Sequence, residues 1–157
     1  MSERAEKLAA QFEQLNQELI KTIEGCSEAQ WQATCKEESW PVAVTAHHIA
    51  GGYSPITGLI RAMSAGAEFP SLSMEMIDGL NAQHAQQYAN VSRDETIQAL
   101  RGGGSEAAAA IRSLTDDQLN NTAVILAGDP ASTTEQAVQA LFIDSTAGHL
   151  NSIRAAI

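Results

Sequence analysis

The stretch that decides the fold is residues 39–65, SWPVAVTAHHIAGGYSPITGLIRAMSA. Its apolar and small residues recur every three or four positions, which is the spacing of one face of an α-helix. Pro41 suits the first helical position, because its missing N–H would have no partner there. Since Pro55 removes a backbone hydrogen bond further on, we predict a helix over about residues 41–65 that bends near Tyr53. Its predicted inner face comprises Val44, His48, Gly52, Ile56, Leu59 and Met63.

Similar periodicity on both sides of this stretch predicts the remaining helices. Residues of the S/T-x-x-E/Q type, which cap helix N-termini, stand at Ser27, Ser92, Thr115 and Thr133. Residues 66–73 and 122–133 are predicted loops, because they combine Gly, Pro, Ser and Asp without periodicity. The other predicted helices span about 3–24, 74–90 and 92–114, with a last helix that begins after Thr133 and two short capped turns after Ser27 and Thr115.

These segments predict an all-α protein built as a four-helix bundle with long connections between helices. No alternating strand pattern of useful length is present apart from Val124-Ile125-Leu126. Gly102-Gly103-Gly104 lies inside a predicted helix, where each glycine costs about 1 kcal/mol relative to alanine. We therefore expect local fraying or a close helix contact there. At 157 residues the chain is predicted to form a single domain, 1–157.

Charge and hydropathy exclude two classes of partner. Nine basic residues against 19 acidic ones give a net charge of -10, which repels a phosphate backbone, so we predict no nucleic-acid partner. No apolar run approaches the roughly 20 residues that a membrane-spanning helix needs. The charged N-terminus lacks the hydrophobic region of a signal peptide, and we expect a cytoplasmic protein. Cys26 and Cys35 show no CxxC spacing, which favours two ordinary thiols over a disulfide in a reducing compartment.

Two histidines on the inner faces of different predicted helices are the candidate chemistry-bearing residues. His48 lies on the face that contains Val44, whereas the adjacent His47 points about 100° away from it. His149 lies on the last helix one turn after Ser145, on the same predicted buried face. Two imidazoles with water and a third donor suit Zn, Ni, Fe or Mn. The alternative is that both are hydrogen-bonded core histidines, since no HxxxH or HExxH motif is present.

Other polar residues near these helices are weaker candidates. His84 lies on the stripe of the helix predicted over 74–90 and either faces the interior or is a partly exposed polar residue. Asp144 is five residues from His149, roughly 140° around a regular helix, so we predict that it is solvated.

The sequence resembles the DinB-like (YfiT-like) four-helix bundle superfamily over essentially its whole length. The most specific parts are Trp40, eight residues before His48, and His149 followed four residues later by Ile153-Arg154. In that family three histidines typically bind a divalent metal, one from the second helix and two spaced four apart on the last, with glutamate replacing the first of that pair in some relatives. The resemblance therefore implies that His48 and His149 are ligands and that the third position falls on Ser145.

Serine is a poor ligand for the metals that imidazole favours, so three outcomes are open. The first is weak metal binding by His48, His149 and water. The second is completion of the site by His84 or His47. The third is loss of the metal with the pocket retained. The resemblance accordingly implies one of two functions. The first is a metal-dependent hydrolase or low-molecular-weight-thiol S-transferase; the second is a metal-free bundle that binds a small molecule or dimerises. Family members are often homodimers, so we also expect a homodimer.

Overall fold

Four long helices pack around one hydrophobic core in the computed structural model, which describes residues 1–157. The last of the four is formed by two α-helices joined by a π-helical segment. In chain order the elements are α1 (Glu3–Glu24), α2 (Glu28–Trp31), β1 (Thr34–Cys35), β2 (Trp40–Pro41), α3 (Val42–Ser64), α4 (Met74–Gln87), α5 (Arg93–Arg112), α6 (Asp116–Asn120), β3 (Thr122–Ala123), β4 (Ser132–Thr133), α7 (Thr134–Val138), the π segment (Gln139–Asp144) and α8 (Ser145–Ala156). This is the predicted all-α class with long connections.

Side-chain caps account for where the helices begin. The capping boxes predicted at Ser27, Thr115 and Thr133 each form both of their hydrogen bonds. At Ser92 only one half forms, because its hydroxyl accepts from the N–H of Glu95 without a bond in return. These caps satisfy N–H groups that have no partner inside the helix.

The core is centred on three aromatic rings from three of the long helices. Phe12 of α1 lies 5.1 Å from Tyr53 of α3 and 5.0 Å from Phe142 of the π segment, measured between ring centroids. All three side chains are at least 98% buried. Helix α5 packs along both α1 and α3, and α8 contacts these two helices as well. Aromatic pairs in such tilted and edge-to-face arrangements stabilise a core beyond their buried area alone.

The glycine run of α5 marks a close helix contact, one of the two outcomes expected for it. Helix α5 is unbroken through all three glycines. A Cβ atom on Gly104 would lie 2.2 Å from Nδ2 of Asn16, and one on Gly103 would lie 3.4 Å from the Tyr53 ring. Asn16 is buried and donates to the Leu100 carbonyl at 2.9 Å, while its Oδ1 accepts from the Tyr53 hydroxyl at 2.8 Å. The missing side chain of Gly104 therefore makes room for a buried hydrogen-bond network.

Three local features differ from the sequence-based expectation or extend it. Two antiparallel ribbons, β1–β2 and β3–β4, form in connections that carry no strand pattern. Helix α3 continues without a break past Pro55, and the bend expected near Tyr53 stays a prediction. The π segment interrupts the last helix, which periodicity predicts to be regular. None of the helices is long and apolar enough to cross a membrane.

Helix α4 lies outside the bundle and packs only lightly on it. It contains no buried residue, and its main helix contact is with α3. The side chains of Met74, Met76 and Leu80 are 57%, 53% and 61% exposed. Because α4 buries so little apolar surface, small movements of this helix should have a low free-energy cost.

Candidate metal site

All four histidines of the chain lie side by side, although they come from three different helices. His47 and His48 are on α3, His84 is on α4 and His149 is on α8. The His48 ring centroid lies 5.2 Å from that of His149 and 5.7 Å from that of His84. The rings of His84 and His47 are stacked at 5.1 Å. The structure thus brings together both family positions and the two other candidate histidines.

A carboxylate orients His149. Nδ1 of His149 lies 2.8 Å from Oε1 of Glu38, and the Ser152 hydroxyl donates to Oε2 of Glu38 at 2.6 Å. Burial would raise the pKa of Glu38, but the hydrogen bonds from Ser152 and His149 outweigh it and lower the pKa below its usual value. An ionised carboxylate can only accept, so Nδ1 of His149 carries a proton, and Nε2 has a free lone pair whenever the ring carries no second proton.

Glu38 is the site residue that sequence reasoning missed. It lies in the turn between β1 and β2, and its side chain is only 9% exposed. The next residue, Ser39, has φ of 60°, in the left-handed region that non-glycine residues rarely adopt, and its N–H donates to the Cys35 carbonyl at 2.9 Å. A sequence offers no spacing rule for an acidic residue in such a turn. The one structural signal is the strained turn itself, which is typical of functional sites.

His48 occupies the centre of the cluster. Its ring lies between His149 and His84 and contacts the half-buried Trp40, whose ring centroid is 5.2 Å away. Burial, with repulsion from His149 and His84, lowers the pKa of His48 to about 4. His48 is therefore neutral at physiological pH, which is the state that binds metals.

His84 and His47 form a second hydrogen-bonded pair beside His48. Nε2 of His84 lies 2.8 Å from Nδ1 of His47, and Tyr88 stacks on His47 with ring centroids 4.0 Å apart. The other nitrogen of His84, Nδ1, is buried and has no hydrogen-bond partner. Burial is the largest cause that lowers the pKa of both histidines. Both imidazoles are accordingly neutral at physiological pH.

Ser145 corrects one expectation about the last helix, because its side chain is exposed rather than on the buried face. The neighbouring Thr146 is 2% exposed and faces the core. The π segment accounts for this, since its wider turns shift the α-helical phase of the residues that follow. Asp144 is exposed as predicted and accepts from Gln139 at 2.8 Å.

His48 and His149 are suitable ligands for a divalent metal, whereas Ser145, at the third ligand position of the family, is not. Two imidazoles on one metal, with metal–nitrogen bonds of about 2.0–2.1 Å, have ring centres roughly 5 Å apart, and His48 and His149 meet that spacing. A carboxylate on the outer nitrogen is the usual support for a metal-binding histidine, as Glu38 provides. Ser145 is an exposed hydroxyl, and no group of three His, Cys, Asp or Glu side chains is arranged to hold a metal ion.

A surface cavity and the two cysteines are weaker candidates for a functional site than the histidine cluster. A surface cavity of about 570 Å³ is lined by residues such as Ser2, Arg112 and Asp116, and none of the histidines lines it. Its charged groups are already engaged, since Arg112 pairs with Glu6 and Glu13. Cys26 and Cys35 are free, buried thiols, and burial raises the pKa of both. The histidine cluster is therefore the more informative site.

One known protein family matches the chain over most of its length. The sequence profile of the DinB superfamily matches residues 11–153, which is most of the chain. The chain belongs to the DinB superfamily. The matched range contains all four histidines and Glu38.

Several solved structures share the fold of this chain at low sequence identity. YfiT from Bacillus subtilis, a probable metal-dependent hydrolase with an unusual four-helix bundle topology, is 17% identical (TM-score 0.82) over 99% of this chain and 87% of its own. An uncharacterized protein from Clostridium difficile 630 is 14% identical (TM-score 0.78), with 99% of this chain and 96% of its own covered. No curated protein matches the sequence.

A mycothiol-dependent maleylpyruvate isomerase has the same fold within a longer chain. It is 12% identical with a TM-score of 0.75, and the match covers 98% of this chain but only 63% of the isomerase. The DinB chain described here is thus similar to one domain-sized part of that enzyme.

Proposed function

We propose that this DinB-superfamily protein binds one divalent transition metal between His48 and His149 and acts on a small electrophile with water or a low-molecular-weight thiol as the nucleophile. The observation that carries the proposal is the Glu38–His149–His48 arrangement, in which a buried carboxylate holds the His149 imidazole with its ring centroid 5.2 Å from that of His48. The metals that suit two imidazoles are Zn, Ni, Fe and Mn.

The surroundings of the two histidines support this role. Glu38 is held from the other side by Ser152, so the orientation of His149 does not depend on one contact. The low pKa of His48 keeps its lone pair available well below neutral pH. Such outer hydrogen bonds raise ligand basicity and hold the ring in place.

Within this proposal the metal supplies Lewis acidity, which lowers the pKa of a bound water or thiol. The chain's own residues position and shield that nucleophile. Trp40 packs against His48 with ring centroids 5.2 Å apart and would shield one side of the ring from bulk water. Ser145, exposed one turn before His149, offers a hydroxyl that can hydrogen-bond to a bound water or substrate. A site with two protein ligands leaves more coordination positions open than a three-histidine site does.

The reaction class is inferred from structurally similar proteins as well as from the site. YfiT is a probable metal-dependent hydrolase, and another protein of the same fold is a mycothiol-dependent maleylpyruvate isomerase. Both descriptions fit a site that activates a small nucleophile, and neither identifies the substrate of this chain. The homodimer expected from the family resemblance stays a prediction.

Elemental analysis of protein purified without a metal-affinity tag tests the proposal. After incubation with Zn²⁺, Ni²⁺ or Mn²⁺ and removal of excess ion, we expect about one metal per chain. The variant His149→Ala should lose it, whereas Asn151→Ala, an exposed change on the same helix, should not. No bound metal with any of the three ions would overturn the proposal.

The second candidate function is a metal-free bundle that binds a small molecule. The exposed serine at the third ligand position favours it. In this case the Glu38–His149 pair offers Nε2 of His149 as a hydrogen-bond acceptor or general base for the bound molecule. The same elemental analysis separates the two candidates.

A further inference from the structure

Nδ1 of His84 is a buried nitrogen that nothing in the fold explains. It has no hydrogen-bond partner, although the ring lies 5.7 Å from that of His48. Leaving a buried polar atom unpaired destabilises a fold. Helix α4 packs lightly and contains no fully buried residue. The packing of α4 therefore does not require a histidine at position 84. The unpaired atom therefore indicates a missing partner.

The pairing of His84 with His47 allows two tautomers, and each tautomer leaves a different kind of partner missing at Nδ1 of His84. If His47 donated from Nδ1, the proton of neutral His84 would be on its own Nδ1, which would be a buried donor without an acceptor. If His84 donates from Nε2, its Nδ1 carries a bare lone pair, and His47 accepts at 2.8 Å. The second tautomer leaves an electron-pair donor beside His48, which a metal ion can satisfy. His47 then supports His84 as Glu38 supports His149.

We propose that His84, held by His47, is the third protein ligand of the metal site and takes the role that Ser145 cannot fill. This inference rests on the proposed function, because it presupposes a metal at His48 and His149. It places the third ligand on α4, outside the bundle, instead of on the last helix. Imidazole is a far better ligand than a serine hydroxyl for the metals concerned.

Metal binding at this site also orders α4. No three donor side chains converge on one point in the structure, so a third bond to the metal requires His84 to move closer to His48 and His149. Helix α4 contains no buried residue to oppose that movement. A metal that binds only the closed arrangement stabilises it by mass action. The amides of α4 should therefore become more protected when metal is added.

Zinc titration calorimetry on the full chain tests this proposal. The variant His84→Ala should weaken Zn²⁺ binding by more than about 100-fold, and His47→Ala by about 10-fold, as loss of an outer-shell partner does. The matched control Gln83→Ala, an exposed change next to His84, should bind like wild type.

The outcomes separate this inference from the proposed function. If wild type binds Zn²⁺ and His149→Ala abolishes binding while His84→Ala does not weaken it, His84 is not a ligand and the two-histidine site stands. If wild type binds none of the metals, the proposed function fails first. Hydrogen exchange of wild type with and without Zn²⁺ gives a second readout that needs no variant. Unchanged protection of α4 in the zinc-bound protein would also overturn the inference.

Discussion

At the residue scale, the Glu38 carboxylate determines which nitrogen His149 presents. It accepts from two side chains of α8, His149 and Ser152, and so fixes the β1–β2 turn against that helix. A substitution that removes the charge of Glu38 but keeps its shape should weaken the support of the His149 imidazole without removing this imidazole. Outer-shell partners of this kind typically contribute 10- to 100-fold to metal affinity.

Glu38→Gln should accordingly reduce Zn²⁺ affinity by about 10- to 100-fold, because the neutral amide supports the His149 imidazole less well and no longer fixes its tautomer. Zinc titration calorimetry measures the change, and the near-ultraviolet circular dichroism of the variant checks that the fold is kept. Glu37→Gln, the exposed neighbour, is the matched control and should bind as wild type does. Equal affinity in the two variants would contradict the role given to Glu38.

The difference between Glu38 and His48 shows what a sequence can reveal at this scale. His48 and His149 are detectable because helical periodicity assigns them to inner faces and because they match a family pattern. Glu38 acts from a turn, where no periodicity applies, and its partner is 111 positions away in the chain. Its orientation depends on the left-handed conformation of Ser39, which propensity does not predict.

At the element scale, α5 owes its close approach to α1 to one particular glycine. Gly104→Ala should destabilise the protein by about 1–3 kcal/mol, because the new methyl group would displace Asn16 from two buried hydrogen bonds. Gly102→Ala is the matched control, since no atom lies within 4 Å of its added Cβ, and it should be neutral or stabilising by up to about 1 kcal/mol.

Urea unfolding of the two variants measures this difference directly. The opposite signs distinguish a packing effect from helix propensity, which is the same for both substitutions. If Gly104→Ala proved as stable as Gly102→Ala, the Asn16 network would not be what limits the approach of the two helices.

The helices and the irregular elements also differ in how far sequence predicts them. Helix starts follow from local caps such as Ser27 and Thr133, whose hydrogen-bond partners are only three residues away. The π segment at Gln139–Asp144 has no comparable local signal. It shifts Ser145 outward and Thr146 inward, so its effect on the site becomes visible only in three dimensions.

At the scale of the whole molecule, assembly of the bundle concentrates all of the histidines in one place. Periodicity predicts helices but not which of them are neighbours, so the meeting of His48, His84 and His149 could not be derived from spacing. Helix α4 illustrates this most clearly. Its sequence resembles that of a polar surface helix, yet it brings one imidazole to the cluster.

This concentration of imidazoles makes the stability of the metal-free protein depend on pH. The pKa of His48 is about 4 in the folded chain, against an ordinary 6.5. Between these values the unfolded chain binds a proton that the folded chain excludes, so the free energy of unfolding falls as the pH falls. The loss begins near pH 6.5 and, for His48 alone, reaches as much as about 3 kcal/mol near pH 4. The lowered pKa values of His47 and His84 act in the same direction.

Urea titrations between pH 7 and 4 in the presence of a chelator measure this dependence, and His48→Gln isolates the contribution of His48. The variant should show a shallower decline between pH 6.5 and 4.5, because one of the suppressed protonations is absent. That window lies above the ordinary carboxyl pKa of 4.5, so loss of the Glu38 interactions adds to the decline only at lower pH. Excess Zn²⁺ should steepen the wild-type decline, since protons compete with the metal for the same nitrogens. A wild-type stability that stays constant from pH 6.5 to 4.5 would mean that the buried histidines accept protons without opening the cluster.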